Sequence, residues 1–288
     1  MHVTSERRTL PPGTRVARRY VLGRPLGRGG SSIVYAASDP DGRPVAVKVL
    51  DPEPEHRATE RERLFREARI TEQLRHPAIV RVHDSGPLAG GMAYLVMERL
   101  DGITLEEHLD GRFWMDLEEA RALARVLLDA LSAAHDAGVI HRDVKPANLI
   151  LQGGRPAAPK LIDFGIGRDL GDPRSRVTAP DVVVGTVGYM APEQLFGDEP
   201  TPRTDVYAAG ATLYEMLAGR PPHDIDGGDI RDVLGAMVRP PTPLASLRPA
   251  IPPALAAGVM RALEKAPRDR FADCRELADA CGLEARAA

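Results

Sequence analysis

Disulfide chemistry is nearly absent from this chain, whose 288 residues hold two cysteines. Cys274 and Cys281 are seven positions apart in a stretch that reads as helix, where about 10 Å of axial rise keeps them from bridging. They read as small core residues in a reducing compartment, which places the chain in the cytoplasm. Long apolar runs are also missing: even 122–134 is broken by Arg125 and Asp129, so no segment reads as a membrane span. Strong charge of one sign is lacking too. A formal net charge of −3 and a pI near 6.3 give no basic field for nucleic acid or anionic lipid. Residues 1–19 carry Arg7, Arg8, Arg15, Arg18 and Arg19 but no apolar core, so they read as a flexible lead-in rather than a targeting signal.

What is present suits one large domain or two lobes: 43% of the residues are hydrophobic and 27% charged. From Tyr20 to Met97 the pattern is of short strand-like runs, clearest at Val45–Leu50 and Met92–Met97, interrupted by a charged helix over Arg57–Arg75 that stops at His76-Pro77. Beyond Asp101 the period becomes helical. Leu117, Ala120, Leu123, Ala124, Leu127, Leu128, Leu131 and Ala134 mark one buried stripe. Asp116 with Glu119, and Thr104 with Glu107, give capping-box-like starts. Further helices are expected over 205–218, 231–238, 253–264 and 273–286. The chain thus reads as α+β: a lead-in at 1–19, a β-rich lobe at 20–98 with one main helix, a hinge at 98–101, a mostly helical lobe at 102–282 and a tail at 283–288. There is no internal repeat.

The densest chemistry lies in His141-Arg142-Asp143-Val144-Lys145-Pro146-Ala147-Asn148, followed fifteen residues after its asparagine by Asp163-Phe164-Gly165. Asp143 offers a carboxylate for a hydroxyl proton, Lys145 a cation for a transferring phosphoryl group, and Asn148 and Asp163 hard oxygens for a divalent metal. His141, flanked by Val139, Ile140 and Val144, reads as a packed structural histidine. Gly27-Arg28-Gly29-Gly30-Ser31-Ser32 falls between two strand-like runs, where a glycine hairpin lays backbone N–H groups along phosphates. A strand follows it rather than a helix, which excludes the dinucleotide-binding turn. Lys48 ends Val45-Ala46-Val47-Lys48 and is placed to reach phosphates, paired with a carboxylate of the next helix. Periodicity alone leaves Glu60 and Glu67 on the same face. Residues 168–181 read as a mobile loop closing on Thr186 and Ala191-Pro192-Glu193. A phosphate on Thr178 or Ser175 would give Arg142 an anion, with Arg168 assisting.

These motifs, in this order across roughly 20–281, resemble the bacterial eukaryotic-like (Hanks-type) serine/threonine protein kinases. The resemblance implies a two-lobed kinase-like fold and transfer of the γ-phosphoryl group of ATP to serine or threonine hydroxyls of proteins, autophosphorylation included. Magnesium, or manganese in its place, would be held by Asn148 and Asp163. The family spacing selects Glu67 as the partner of Lys48. It places ATP against Leu26, Gly27, Gly29, Gly30, Ser32, Val34, Ala46, Met97, Glu98, Leu100 and Ile150, with adenine on the backbone of Glu98 and Leu100 and Met97 as gatekeeper. Ser32 stands where the family loop has its third glycine. Lys145 and Thr186 match the serine/threonine class, Asp205 begins a further family motif, and Arg270 matches the arginine that pairs with Glu193. Thr178 matches the loop threonine whose phosphorylation recruits forkhead-associated domains, and Pro180 replaces a second one. Transfer between two copies would make a homodimer a partner, whereas nucleic acid is not expected. A pseudokinase scaffold is disfavoured by the retained Lys48, Asp143, Asn148 and Asp163. A small-molecule phosphotransferase is disfavoured by Glu193 and Arg270.

Overall fold

The computed structural model describes residues 9–29, 31–53, 56–164, 187–223 and 235–283. The chain divides into two compact units: Met1–Gln73 with Val80–Leu100, and Leu74–Ile79 with Asp101–Ala288. Leu74–Ile79 joins the second unit because Ile79 bridges Leu161 and the Leu161 N–H donates to the Ala78 carbonyl at 2.7 Å, a detail that a linear boundary at 98 does not contain.

The first unit is an antiparallel sheet of β1 (Arg15–Val16), β2 (Tyr20–Arg28), β3 (Ser32–Ser38), β4 (Pro44–Leu50), β5 (Val82–Pro87) and β6 (Ala93–Glu98), in the order β1-β2-β3-β4-β6-β5. Helix α1 (Arg57–Gln73) packs on β5 and β6 and ends ahead of His76-Pro77, since a residue before proline resists the helical region. Strand alternation sends Ile33, Tyr35, Val45, Val47, Val49 and Val96 into one core with Val16, Tyr20 and Leu22. The expectation that 1–19 is a flexible lead-in is corrected for 9–19. Val16 enters this core, β1 pairs with β2, the Gly13 N–H donates to the Leu22 carbonyl at 2.7 Å and the Leu10 N–H to the Tyr35 hydroxyl at 2.9 Å. Two apolar residues, Leu10 and Val16, supply the affinity that a polar, arginine-rich reading overlooked.

The second unit is built on α3 (Leu117–Asp136), α5 (Pro202–Ala218), α7 (Pro253–Ala262) and α8 (Cys274–Ala280), with shorter helices α2 (Leu105–Leu109), α4 (Pro192–Phe196) and α6 (Leu244–Leu247). The capping box of Thr104 and Glu107 forms, whereas Asp116 caps α3 alone by accepting from the Glu118 and Glu119 N–H groups. This mostly helical lobe also holds a small sheet of β7 (Gly102–Thr104), β8 (Leu149–Gln152) and β9 (Pro159–Leu161); strands this short leave no visible alternation in the sequence. The last helix is also shorter than 273–286, stopping at Ala280 just ahead of Gly282 at φ 62°. Cys274 and Cys281 are buried free thiols. No helix among the described residues is long and apolar enough to cross a membrane.

Candidate active site

The loop between α3 and β8 is organised from beneath by Asp205, fully buried in the first turn of α5. Its two carboxylate oxygens accept the consecutive His141 and Arg142 N–H groups, each at 2.8 Å, and its Oδ2 also lies 2.9 Å from His135 Nε2. An anionic group taking successive backbone donors in this way fixes the chain direction. Arg142 sits at φ 70°, a left-handed conformation that persists only where its surroundings determine it. The Gln194 amide holds the other side of that peptide, donating to the Arg142 carbonyl at 3.0 Å.

Directly after this anchor, Asp143 Oδ2 lies 3.1 Å from Lys145 Nζ. Asn148 Nδ2 donates to the same oxygen at 3.0 Å and to the Asp143 carbonyl at 2.7 Å. Proline at 146 begins a 3-10 turn through Asn148, whose N–H returns to the Lys145 carbonyl at 3.0 Å. The Ile162 N–H donates to the Asn148 carbonyl at 3.0 Å, which brings Asp163 beside the turn at φ 53°. With both donors of its amide nitrogen engaged inward, Asn148 presents its Oδ1 as a hard ligand. Together with the Asp163 carboxylate, that oxygen suits a divalent cation whose remaining shell comes from phosphates and water. Among the described residues no group of three or more His, Cys, Asp or Glu forms a metal cage by itself.

His141 is fully buried, its ring 4.5 Å from that of Phe164. Nε2 donates to the Ile162 carbonyl at 3.2 Å and Nδ1 accepts from the Asp143 N–H at 3.3 Å. Burial lowers its pKa below the ordinary histidine value, so the ring is a neutral spacer joining the Asp143 turn to the segment at Ile162. Arg142 Nε is buried and meets no hydrogen-bond partner among the described residues. Gly30, Arg168, Ser175, Thr178 and Thr186 lie outside the described residues, as does Gly165.

Glu193 and Arg270 meet as a buried fork, with two N–H···O bonds of 2.7 Å. Every remaining N–H of the guanidinium is used as well, on the carbonyls of Glu264, Arg203 and Lys265 at 2.7, 3.0 and 2.9 Å. The Thr204 hydroxyl donates to Glu193 Oε1 at 3.1 Å, and Arg270 lies 4.8 Å from the Tyr207 ring centroid. A charge pair this enclosed is stable only when all its valences are met. It locks the segment after residue 186 to α5 and to the turn before α8.

In the first unit, register assembles the candidates. Val34, Lys48 and Leu95 are cross-strand partners, and Ala36, Ala46 and Met97 form the neighbouring row. These rows alternate with the core-facing residues, so Val34, Ala46, Lys48 and Met97 share the face opposite the core. Glu67 is half-buried on α1. The glycine turn closes with the Gly29 N–H on the Ser32 carbonyl at 2.8 Å. A Cβ on Gly29 would come within 3.2 Å of Ser32 Oγ, whereas one on Gly27 would meet nothing. Leu26 is exposed just before the turn, and Glu98 at the end of β6 accepts the Arg81 N–H on its carboxylate at 2.8 Å. Leu100 ends the unit, and Ile150 lies half-buried on β8 of the other one.

Sequence reasoning missed His135 and Gln194. His135 faces inward near the end of an apolar helix, and Gln194 directly follows the Ala-Pro-Glu motif, but neither signals its partner without the fold.

The residues from 20 to 276 match the family described as "Protein kinase domain". Similar curated proteins include serine/threonine-protein kinase PknB of Mycobacterium tuberculosis, 39% identical over 264 residues that make up 90% of this chain and 42% of that protein. A probable serine/threonine-protein kinase of Corynebacterium efficiens is 38% identical over 91% of this chain and 41% of its own length. The chain therefore spans about two-fifths of the length of these curated relatives. Among solved structures, the PknI kinase domain of M. tuberculosis aligns over 95% of this chain and 98% of that one, with a TM-score of 0.74 at 33% identity. With the family match spanning residues 20–276 and relatives 38–39% identical over some nine-tenths of its length, this chain belongs to the protein kinase domain family.

Proposed function

We propose that the chain is the catalytic domain of a serine/threonine protein kinase, transferring the γ-phosphoryl group of Mg-ATP to serine and threonine hydroxyls of proteins. The observation that carries this reading is the Asp143 carboxylate, 3.1 Å from Lys145 Nζ and 3.0 Å from Asn148 Nδ2. An acceptor hydroxyl donates its proton to Asp143 as its oxygen forms the new bond to phosphorus, and the bond to the departing ADP oxygen breaks. The proton passes to the carboxylate late, and the Lys145 ammonium balances charge on the moving phosphoryl group. Magnesium on Asn148 and Asp163 would neutralise the nucleotide phosphates. Lys48, Glu67, the glycine turn and the residues from Val34 to Leu100 take their nucleotide roles from the family resemblance.

Lys145 and Thr186 favour serine and threonine acceptors. Arg142 Nε, buried without a partner among the described residues, favours a phosphate on Thr178 or Ser175 as the activating mark, made by one copy on another. Phosphorylated Thr178 would then recruit a forkhead-associated domain. Two buried free thiols agree with a cytoplasmic, reducing setting. Purified protein incubated with γ-labelled ATP and magnesium is expected to label itself and a generic protein substrate. ATP binding without any transfer to protein would leave a scaffold, and labelling only of small hydroxyl compounds would leave a small-molecule phosphotransferase.

A further inference from the structure

A polar cavity lies in the second unit, made from residues that the phosphoryl-transfer site does not use. It has a volume of about 220 Å³, and the described residues that line it come from 220–223 and 236–242, with Tyr214 of α5. The walls are tied together. The Tyr214 hydroxyl donates to the Thr242 carbonyl at 2.8 Å, and His223 bonds to the Ala236 backbone. Nε2 of His223 is used behind the cavity by Lys265 Nζ at 2.8 Å and the Tyr207 hydroxyl at 3.1 Å. Three prolines stiffen the rim. The opening is therefore formed before any ligand arrives.

Among the described residues its charged lining is cationic: Arg220 and Arg239 are both exposed, no carboxylate lines it, and no salt bridge reaches either guanidinium. Lys265 adds a third cation behind His223. Beside it, the turn at Gly219, φ 74°, is stacked on the Phe113 carbonyl so closely that a Cβ would not fit. Phe113 and the following Trp114 are exposed, and the Arg248 guanidinium lies 5.1 Å from the Trp114 ring centroid. Paired guanidiniums over a rigid polar cavity match a phosphate monoester dianion, whose oxygens accept forked N–H donors. The cavity has room for the phosphate and the carbon that bears it.

We propose that this cavity binds a phosphate monoester carried on a serine or threonine side chain, as a docking site for already phosphorylated protein segments. The proposal rests on the kinase reading only for the source of such segments, because the binding itself needs no catalysis.

The test is a calorimetric titration of the full chain carrying Asp143→Asn, without nucleotide. The probes are a phosphothreonine peptide, the same peptide unphosphorylated, and inorganic phosphate. The phosphopeptide is expected to bind and the unphosphorylated peptide not to. The double variant Arg220→Gln/Arg239→Gln should weaken binding at least about tenfold, with protein-kinase activity unchanged when the same pair is placed in the active chain. Trp114, the only tryptophan, gives an independent fluorescence signal. Inorganic phosphate binding as tightly as the phosphopeptide would overturn the docking role in favour of a free anion. No binding, or binding that survives the double variant, would overturn the site. Either failure leaves phosphoryl transfer by the active chain as a separate result.

Discussion

Lys48 and Asp143 reach their positions by different means. Lys48 shares a face with Val34, Ala46 and Met97 because strand register puts them there, each contact being a backbone ladder step from the next. Asp143 stands where it does because Asp205, more than sixty residues away in the chain, grips the two preceding N–H groups, and because Arg270 grips Glu193 at a separation of 77. The first unit distributes the task over many weak, local pairings. The second concentrates it in a few buried charges, so single substitutions there should do the greater damage.

The largest effect expected is on chemistry. Asp143→Asn keeps the size of the side chain but removes the proton acceptor, so phosphate incorporation should fall by about 10²–10⁴-fold while the melting temperature stays close to that of the parent. Next comes stability: Arg270→Met strands Glu193 in a site that is 7% exposed, and unfolding free energy from urea titration should drop by about 3–5 kcal/mol. Replacing Glu193 with Leu in the same chain should recover a large part of that loss, since no buried charge then lacks a partner.

Acid should also act on the second unit. Burial, assisted by the Lys265 ammonium, pulls the His223 pKa from 6.5 down to about 4. Between those values the unfolded chain binds a proton that the folded chain does not. Stability is therefore full above about 6.5 and falls as pH is lowered toward 4, by up to about 3 kcal/mol. Urea midpoints at pH 7 and pH 4.5 measure this, and His223→Gln should flatten the difference. The smallest effect belongs to the first unit. Tyr35→Phe removes only the acceptor of the Leu10 N–H and should cost about 1 kcal/mol. A Tyr35→Phe loss rivalling that of Arg270→Met would break the contrast between the units.

This contrast also explains what was legible in the sequence. Strand β4, the Thr104 cap, the α3 stripe and the catalytic letters from His141 to Asn148 are local patterns, and each lies where its pattern puts it. The packed character of His141 followed from its apolar neighbours. The bond of His135 to Asp205 and that of Gln194 to Arg142 were not legible, because each joins residues whose nearness exists only after folding. The β1 pairing was hidden for another reason: two apolar residues among many arginines carry too little periodicity to register.

Phosphosite mapping by mass spectrometry, on the active chain and the Asp143→Asn variant expressed side by side, tests the central claim most directly. Phosphate on serine and threonine residues of the active chain, and none on the variant, is the predicted result. A folded, nucleotide-binding active chain carrying no phosphate and transferring none to protein, or equal phosphorylation of both, would contradict it.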